Sequence, residues 1–177
     1  PFKLLEVIPG HASVKNSCNF PVYVRSAGNP TCENPHDDEL VQPNTTFTEK
    51  IRTCKEGGIS LKVSATKDIK KPMQFEYTVW ADKTTVSYDI SYLDCMKNKD
   101  GEKDLSDCVG HNNVGDSHGG IQARAGDDSC PDYFCHANEW CAQQAYVVAE
   151  FDYKPGAPVG ACAVDKGIAF ELCAGNH

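Results

Sequence analysis

Three ionisable residues fall on what an alternating pattern makes the polar faces of three successive strands: Lys62 within Ile59 to Thr66, Glu76 within Gln74 to Trp80, and Asp89 within Thr85 to Leu93. Asp94 follows directly after Leu93. Two carboxyl groups of this kind can break a glycosidic bond when one is protonated and the other ionised. The required separation is about 5–5.5 Å for retention or about 6.5–9.5 Å for inversion. Glu76 as the acid with Asp89 or Asp94 as its partner is the pair to test. A neighbouring Lys62 would draw carboxylate pKa values down, which suits a charged binding cleft better than a poised acid. The plainer reading is that all four are ordinary solvated polar residues.

Other chemistries find little support. The six histidines are scattered: His36 precedes Asp37 and Asp38, His111 and His118 lie in a Gly-rich stretch, and His136 abuts Cys135. A zinc site from Cys130, Cys135, His136 and Cys141 fails, because oxidised cystines have no thiolate to offer and the close Cys spacing is absent. No metal and no cofactor are expected, since the Gly-rich stretch also lacks a phosphate-binding spacing.

The elements that must position these residues read as short strands bounded by turn residues. They span Ser13 to Asn16, Pro21 to Arg25, Thr45 to Ile51, Ile59 to Thr66, Gln74 to Trp80, Thr85 to Leu93 and Ile168 to Leu172. Strict alternation with one wet face belongs to antiparallel sheets. Residues 1–12 are read as an N-terminal arm or a first strand, and residues 13–177 as one domain. From Cys95 to about Ser129 the texture is Asn, Lys, Asp, Gly and His, too polar to order itself without cystines. The stretch His136 to Val148 reads as a short helix or, at Val147-Val148, as strand; Gly119-Gly120 and Pro155 to Gly160 read as loops.

Ten cysteines among 177 residues point to an oxidising compartment, hence to secretion. Their number alone admits on the order of a thousand complete pairings. Pro1 in place of Met and the absence of an apolar leader suggest a mature form, and no apolar run reaches the roughly 20 residues of a membrane span. With 25 acids against 17 bases the net charge is −8, which disfavours nucleic acid and anionic membranes and leaves neutral polymers or basic surfaces. Asn44-Thr45-Thr46 is a sequon after Pro43, a glycosylation candidate or an unmodified loop.

Asn16-Ser17-Cys18 leading into Pro21-Val22-Tyr23-Val24, then Gly57-Gly58-Ile59, then Tyr88-Asp89-Ile90-Ser91-Tyr92-Leu93-Asp94-Cys95, with Cys173 near the end, resemble the small fungal thaumatin-like proteins of the yeast-phase-specific and antigenic group. The resemblance implies an all-β, antiparallel β-sandwich with disulfide-rich loops and at most a short helix. Members of the broader family carry an acidic cleft linked to binding, sometimes slow hydrolysis, of β-1,3-glucan. Its glutamate maps to Glu76 and two of its aspartates to Asp89 and Asp94. Its basic residue, usually arginine, maps to Lys62, and its last aspartate maps loosely to Asp152. Lysine lacks the planar fork that grips two carboxylates at once. Cys95 also stands where the family has a Gly-Phe-Asn run.

Family pattern and loop closure together suggest Cys18–Cys173, closing a loop worth about 5 kcal/mol in the chain-entropy model. They suggest also Cys32–Cys54, Cys95–Cys162 and local pairs among Cys108, Cys130, Cys135 and Cys141. The leading expectation is a secreted or wall-associated monomer that binds β-glucan through Lys62, Glu76, Asp89, Asp94 and Asp152, with Tyr92 or Trp80 as a stacking surface. Any enzymatic action would be that of a weak endo-β-1,3-glucanase. The competing expectation is an effector that inhibits a host protease or glycosidase through the loops from Met96 to Ser129.

Overall fold

Ile59, Leu61 and Val63 are buried while Ser60 and Lys62 between them reach solvent, so the alternation in the sequence becomes a strand with two unlike faces. The same holds for Phe75 and Tyr77 against Glu76 and Thr78, and for Val86, Tyr88 and Ile90 against Ser87 and Asp89. In this computed structural model, which describes residues 2–97, 102–148 and 156–177, such strands build two sheets. The strands are β1 (His11–Asn16), β2 (Val22–Ala27), β3 (Glu39–Val41), β4 (Thr45–Lys50), β5 (Ile59–Ser64) and β6 (Met73–Val79). They continue with β7 (Thr85–Ser91), β8 (Ile121–Ala125), β9 (Tyr133–Cys135), β10 (Val159–Ala163) and β11 (Ile168–Leu172).

The first sheet runs β4-β1-β11-β8-β9 and the second β10-β7-β6-β5-β2-β3. Neighbours pair antiparallel except β1 and β11, which run parallel with Val14 opposite Phe170. The dry faces meet in one core: Phe75 of the second sheet stacks on Phe170 of the first with ring centroids 4.7 Å apart. The chain before β1 is not strand. Leu5 is buried there, and the carbonyls of Lys3 and Leu5 accept hydrogen bonds from Gln122 Nε2 (3.1 Å) and Arg124 Nη1 (3.2 Å), laying residues 2–8 along the first sheet.

Several expectations are corrected. The polar stretch after Cys95 contains a core strand, β8, whose inward side chains are one large residue, Ile121, and the small Ala123 and Ala125, too little apolar bulk to stand out. Val159 and Gly160 belong to β10, not to a loop. No α-helix forms over His136 to Val148: Asn138 takes a left-handed conformation (φ 64°), and a single turn at Cys141 to Ala145 is all that follows.

The cystines are Cys18–Cys173, Cys32–Cys54, Cys95–Cys108, Cys130–Cys162 and Cys135–Cys141. Cys18–Cys173 ties the end of β1 to the end of β11 across 155 residues of sequence. The expected Cys95–Cys162 bond does not form, and the register of β10 on β7 explains why. Cys162 sits opposite Val86 at the start of β7, whereas Cys95 lies beyond its far end at Ser91. That strand length alone is about 17 Å, well past the roughly 7 Å limit on the Cα separation of a cystine. Cys108 and Cys130 therefore find partners outside the local cluster, and Cys135–Cys141 is the one pair formed within it.

Candidate functional site

The outward face of the second sheet carries the candidate residues. In the β6–β7 hairpin Glu76 stands directly opposite Asp89; in the β5–β6 hairpin Lys62 stands opposite Gln74, one pair along, and so is diagonal to Glu76. Diagonal neighbours on one face lie about 7–8 Å apart, within reach of long side chains. Lys62, Glu76 and Asp89 line one shallow groove of about 420 Å³ together with Ser60, Thr78, Gly28 and Gly58. Gly58 is required there: a Cβ would come within 2.2 Å of Thr78 Oγ1 and 2.6 Å of the Tyr77 carbonyl.

Lys62 and Glu76 are half-buried, yet among the described residues neither side chain makes a hydrogen bond or an ion pair. Arg25, directly opposite Lys62 on β2, is occupied elsewhere, donating through Nε (2.9 Å) and Nη2 (2.8 Å) to Asp38. At the other end, burial and then the charge of Asp89 raise the Tyr133 hydroxyl above its ordinary pKa, which places Tyr133 within electrostatic reach of the groove.

The remaining predicted residues lie elsewhere. Asp94 is exposed in the turn after β7 and does not line the groove. Asp152 lies outside the described residues. Tyr92 cannot stack on a ligand: it is fully buried, with its hydroxyl 2.8 Å from His111 Nδ1. Trp80 is 49% exposed at the β6–β7 turn and does not line the groove. Asn44 is exposed in the β3–β4 turn with φ 61°, its backbone N–H donating to the Asn16 carbonyl. Asp127 lies beside Cys130 and Cys162, but those sulfurs form a cystine and offer no thiolate to a metal.

Beyond Ala27 and Gly28, which it shares, lies a second groove of about 760 Å³. At its floor Arg52, 3% exposed, donates to the carbonyls of Glu33 (2.6 Å) and Ser26 (3.0 Å) and to Ser26 Oγ (2.8 Å). Beside it Glu49 is buried on the dry face of β4, accepting from the Tyr77 hydroxyl and facing His36 Nε2 at 2.7 Å. Burial, then Glu49, push the Tyr77 hydroxyl far up, so it remains a donor. Sequence reasoning missed this network. The one available signal was the alternation of β4, which puts Glu49 on the same side as Phe47.

Residues 4–101 match the profile of Bys1, the Blastomyces yeast-phase-specific protein. The chain belongs to the Bys1 family. It is 27% identical over 168 residues to an antigenic thaumatin-like protein of Arthroderma benhamiae, covering 94% of this chain and 72% of that one. Its fold is that of the protein elicitor MoHrip2 from Magnaporthe oryzae, with a TM-score of 0.63 at 20% identity over 92% of this chain and 98% of the other. The thaumatin-like xylanase inhibitor TLXI shares the fold more distantly, with a TM-score of 0.50 at 13% identity over 92% and 98% of the two chains. The Bys1-family match spans β1 to β7 and thus contains every described residue that lines the groove.

Proposed function

We propose that this chain is an extracellular protein that binds a cell-wall polysaccharide, with β-1,3-glucan the first candidate, along the groove over β5, β6 and β7, and that it binds without cleaving. The observation that carries the reading is the state of Lys62 and Glu76. A cation and an anion stand half-buried in one groove, neither spent on a protein partner among the described residues, with a second carboxylate across the strand pair at Asp89. Sugar hydroxyls fit such a set, since they donate to the carboxylates while their oxygens accept from the ammonium group. A neutral polymer also suits a chain of net charge −8. The groove is open and polar, without the apolar enclosure that raises a carboxyl pKa into the range of a general acid, so binding fits better than turnover.

Sedimentation with insoluble β-1,3-glucan tests this. The native chain should be retained, and the Glu76→Gln/Asp89→Asn double variant should lose at least tenfold in retention. No retention of the native chain sinks the glucan reading.

A second reading, inhibition of a host hydrolase, is favoured by the shared fold with a xylanase inhibitor and by the loops held by Cys95–Cys108 and Cys135–Cys141 on a rigid sandwich. It predicts inhibition of a plant or microbial glycosidase or protease that survives the double substitution.

A further inference from the structure

The second groove, contiguous with the first through Ala27 and Gly28, is built on a cation that the proposed glucan site does not use. Arg52 is 3% exposed, and its guanidinium is fixed by three hydrogen bonds to neutral acceptors. Nε donates to the Glu33 carbonyl (2.6 Å), and Nη1 to the Ser26 carbonyl (3.0 Å) and Ser26 Oγ (2.8 Å). The backbone supplying these acceptors is itself held, by the Cys32–Cys54 cystine next to Glu33 and by the pairing of Ser26 with Leu61. Nη2 is left over. It donates to nothing among the described residues and keeps solvent-accessible surface, and no described carboxylate forms an ion pair with Arg52. A planar, always-charged guanidinium held on two of its three nitrogens presents the N–H groups of the third in a set direction. Taking a charge out of water without a counter-charge is costly, and an anion arriving at Nη2 would relieve that cost.

The surrounding charges say which anion. Arg52 and His36 form the wall common to this groove and an adjoining one of about 490 Å³, which exposed Lys50 also lines. The carboxylates on the two linings are Asp37, Asp38, Glu39 and Glu49. Asp38 is spent on Arg25, and Glu49 on the Tyr77 hydroxyl and His36. Asp37 and Glu39 are exposed, so water and salt screen them. A carboxylate matches a guanidinium in charge and shape, and being singly charged it meets less repulsion than a phosphate from Asp37, Glu39 and a net charge of −8. What carries the carboxylate follows from the continuity of the grooves. Ala27, Ser60, Glu76 and Asp89 stand opposite one another on successive strands, a row crossing the sheet over about 14 Å. The row leads from the carboxylates of the first groove to Ala27, where the groove of Arg52 begins. A glycan lying along it brings its next unit to the cation. The net charge disfavours a densely anionic polymer and leaves a mostly neutral one with isolated acid units.

We propose that Arg52, through Nη2, binds the carboxylate of a sugar acid in this second groove. The sugar acid is either free or a single uronic acid unit of an otherwise neutral glycan lying in both grooves. The glycan form rests on the reading of the first groove given above; the free form stands without it.

The test is a titration of the full oxidised chain, following the Arg52 guanidinium N–H groups and the backbone amides of Gly28 and His36 by NMR. The probes are methyl glucuronide, methyl glucoside, N-acetylglutamate amide, and a β-1,3-linked glucose oligosaccharide with its terminal C6 oxidised to the carboxylate. Methyl glucuronide should shift the reporters saturably at millimolar concentration, with methyl glucoside and N-acetylglutamate amide at least tenfold weaker. Tighter binding of the oxidised oligosaccharide identifies a unit of a chain, and equal binding a free sugar acid. Arg52→Lys, read at Gly28, should weaken methyl glucuronide at least tenfold. Because Arg52 also holds Ser26 and Glu33, a second variant spares it: Asp37→Asn, at an exposed position, should tighten binding at least twofold with an unchanged thermal midpoint. Glu76→Gln/Asp89→Asn should leave methyl glucuronide binding unaltered, so that failure of the first groove on glucan and failure of this site are read separately. Absence of shifts with methyl glucuronide overturns the proposal, as does equal binding of methyl glucoside. N-acetylglutamate amide binding as tightly would give the site to an acidic peptide instead. Methyl glucuronide affinity unchanged in Asp37→Asn would also overturn it.

Discussion

His111 couples the fold to pH. Burial lowers its pKa from 6.5 to about 4, so the native protein keeps the imidazole neutral where an unfolded chain would protonate it. Between those values the unfolded state binds more protons, and stability falls as the pH drops from about 6.5 to about 4; above that window the contribution is complete. The span corresponds to about 3 kcal/mol. Urea unfolding at pH 7 and at pH 4.5 should show this loss in the native chain and a markedly smaller one in His111→Phe. Equal pH dependence in both would contradict the assignment. Tyr92 and the Cys135–Cys141 bond lie against the same ring, at 2.8 Å from Nδ1 for the hydroxyl and 3.6 Å for Cys135 Sγ, so the proton would enter a buried site.

At the scale of elements, the β6–β7 hairpin carries a local conflict. Glu76 and Asp89 are like charges directly across a strand pair, an arrangement that costs stability of the order that an opposite-charge pair would contribute. Glu76→Gln should therefore raise the unfolding free energy by about 0.2–1 kcal/mol while lowering retention on glucan. A matched pair of measurements, thermal melts and sedimentation on the polymer, separates a functional from an ordinary surface carboxylate: stability gained with binding intact would argue for the latter. Period-2 alternation made Lys62, Glu76 and Asp89 legible as residues of one kind of face, and the short β5–β6 and β6–β7 connections brought those faces side by side. Arg52 and His111 gave no such signal, because each is buried by loops whose course depends on cystine partners.

Across the whole molecule the cystines divide the work unequally. In the chain-entropy model, Cys18–Cys173 closes nearly the full chain and contributes about 5 kcal/mol, against about 2 kcal/mol for the short Cys135–Cys141 loop. Replacing Cys18 and Cys173 with serine should lower the thermal midpoint by clearly more than replacing Cys135 and Cys141. Calorimetry on the two variants checks this, and a reversed order would mean that native packing around the small loop outweighs denatured-state entropy. The pair β1–β11, parallel and drawn from opposite ends of the sequence, lies in the interior of the first sheet and is what the long cystine locks.

The amino-acid sequence alone determined the fold class, because alternation such as Ile59-Ser60-Leu61-Lys62-Val63 has only one folded use, and ten cysteines announced that loops would be stapled. It also carried the family motif around Tyr88 to Cys95. Only the tertiary structure decided which cysteine meets which: Cys95 and Cys162 are separated by the length of β7, a distance set by strand register and invisible in spacing. It also decided that Asp94 stands off the groove, that Tyr92 is core, and that short strands such as β3, β9 and β10 exist at all. Those strands are too short or too poor in large apolar side chains to declare themselves, and they form because a neighbouring edge supplies their hydrogen bonds.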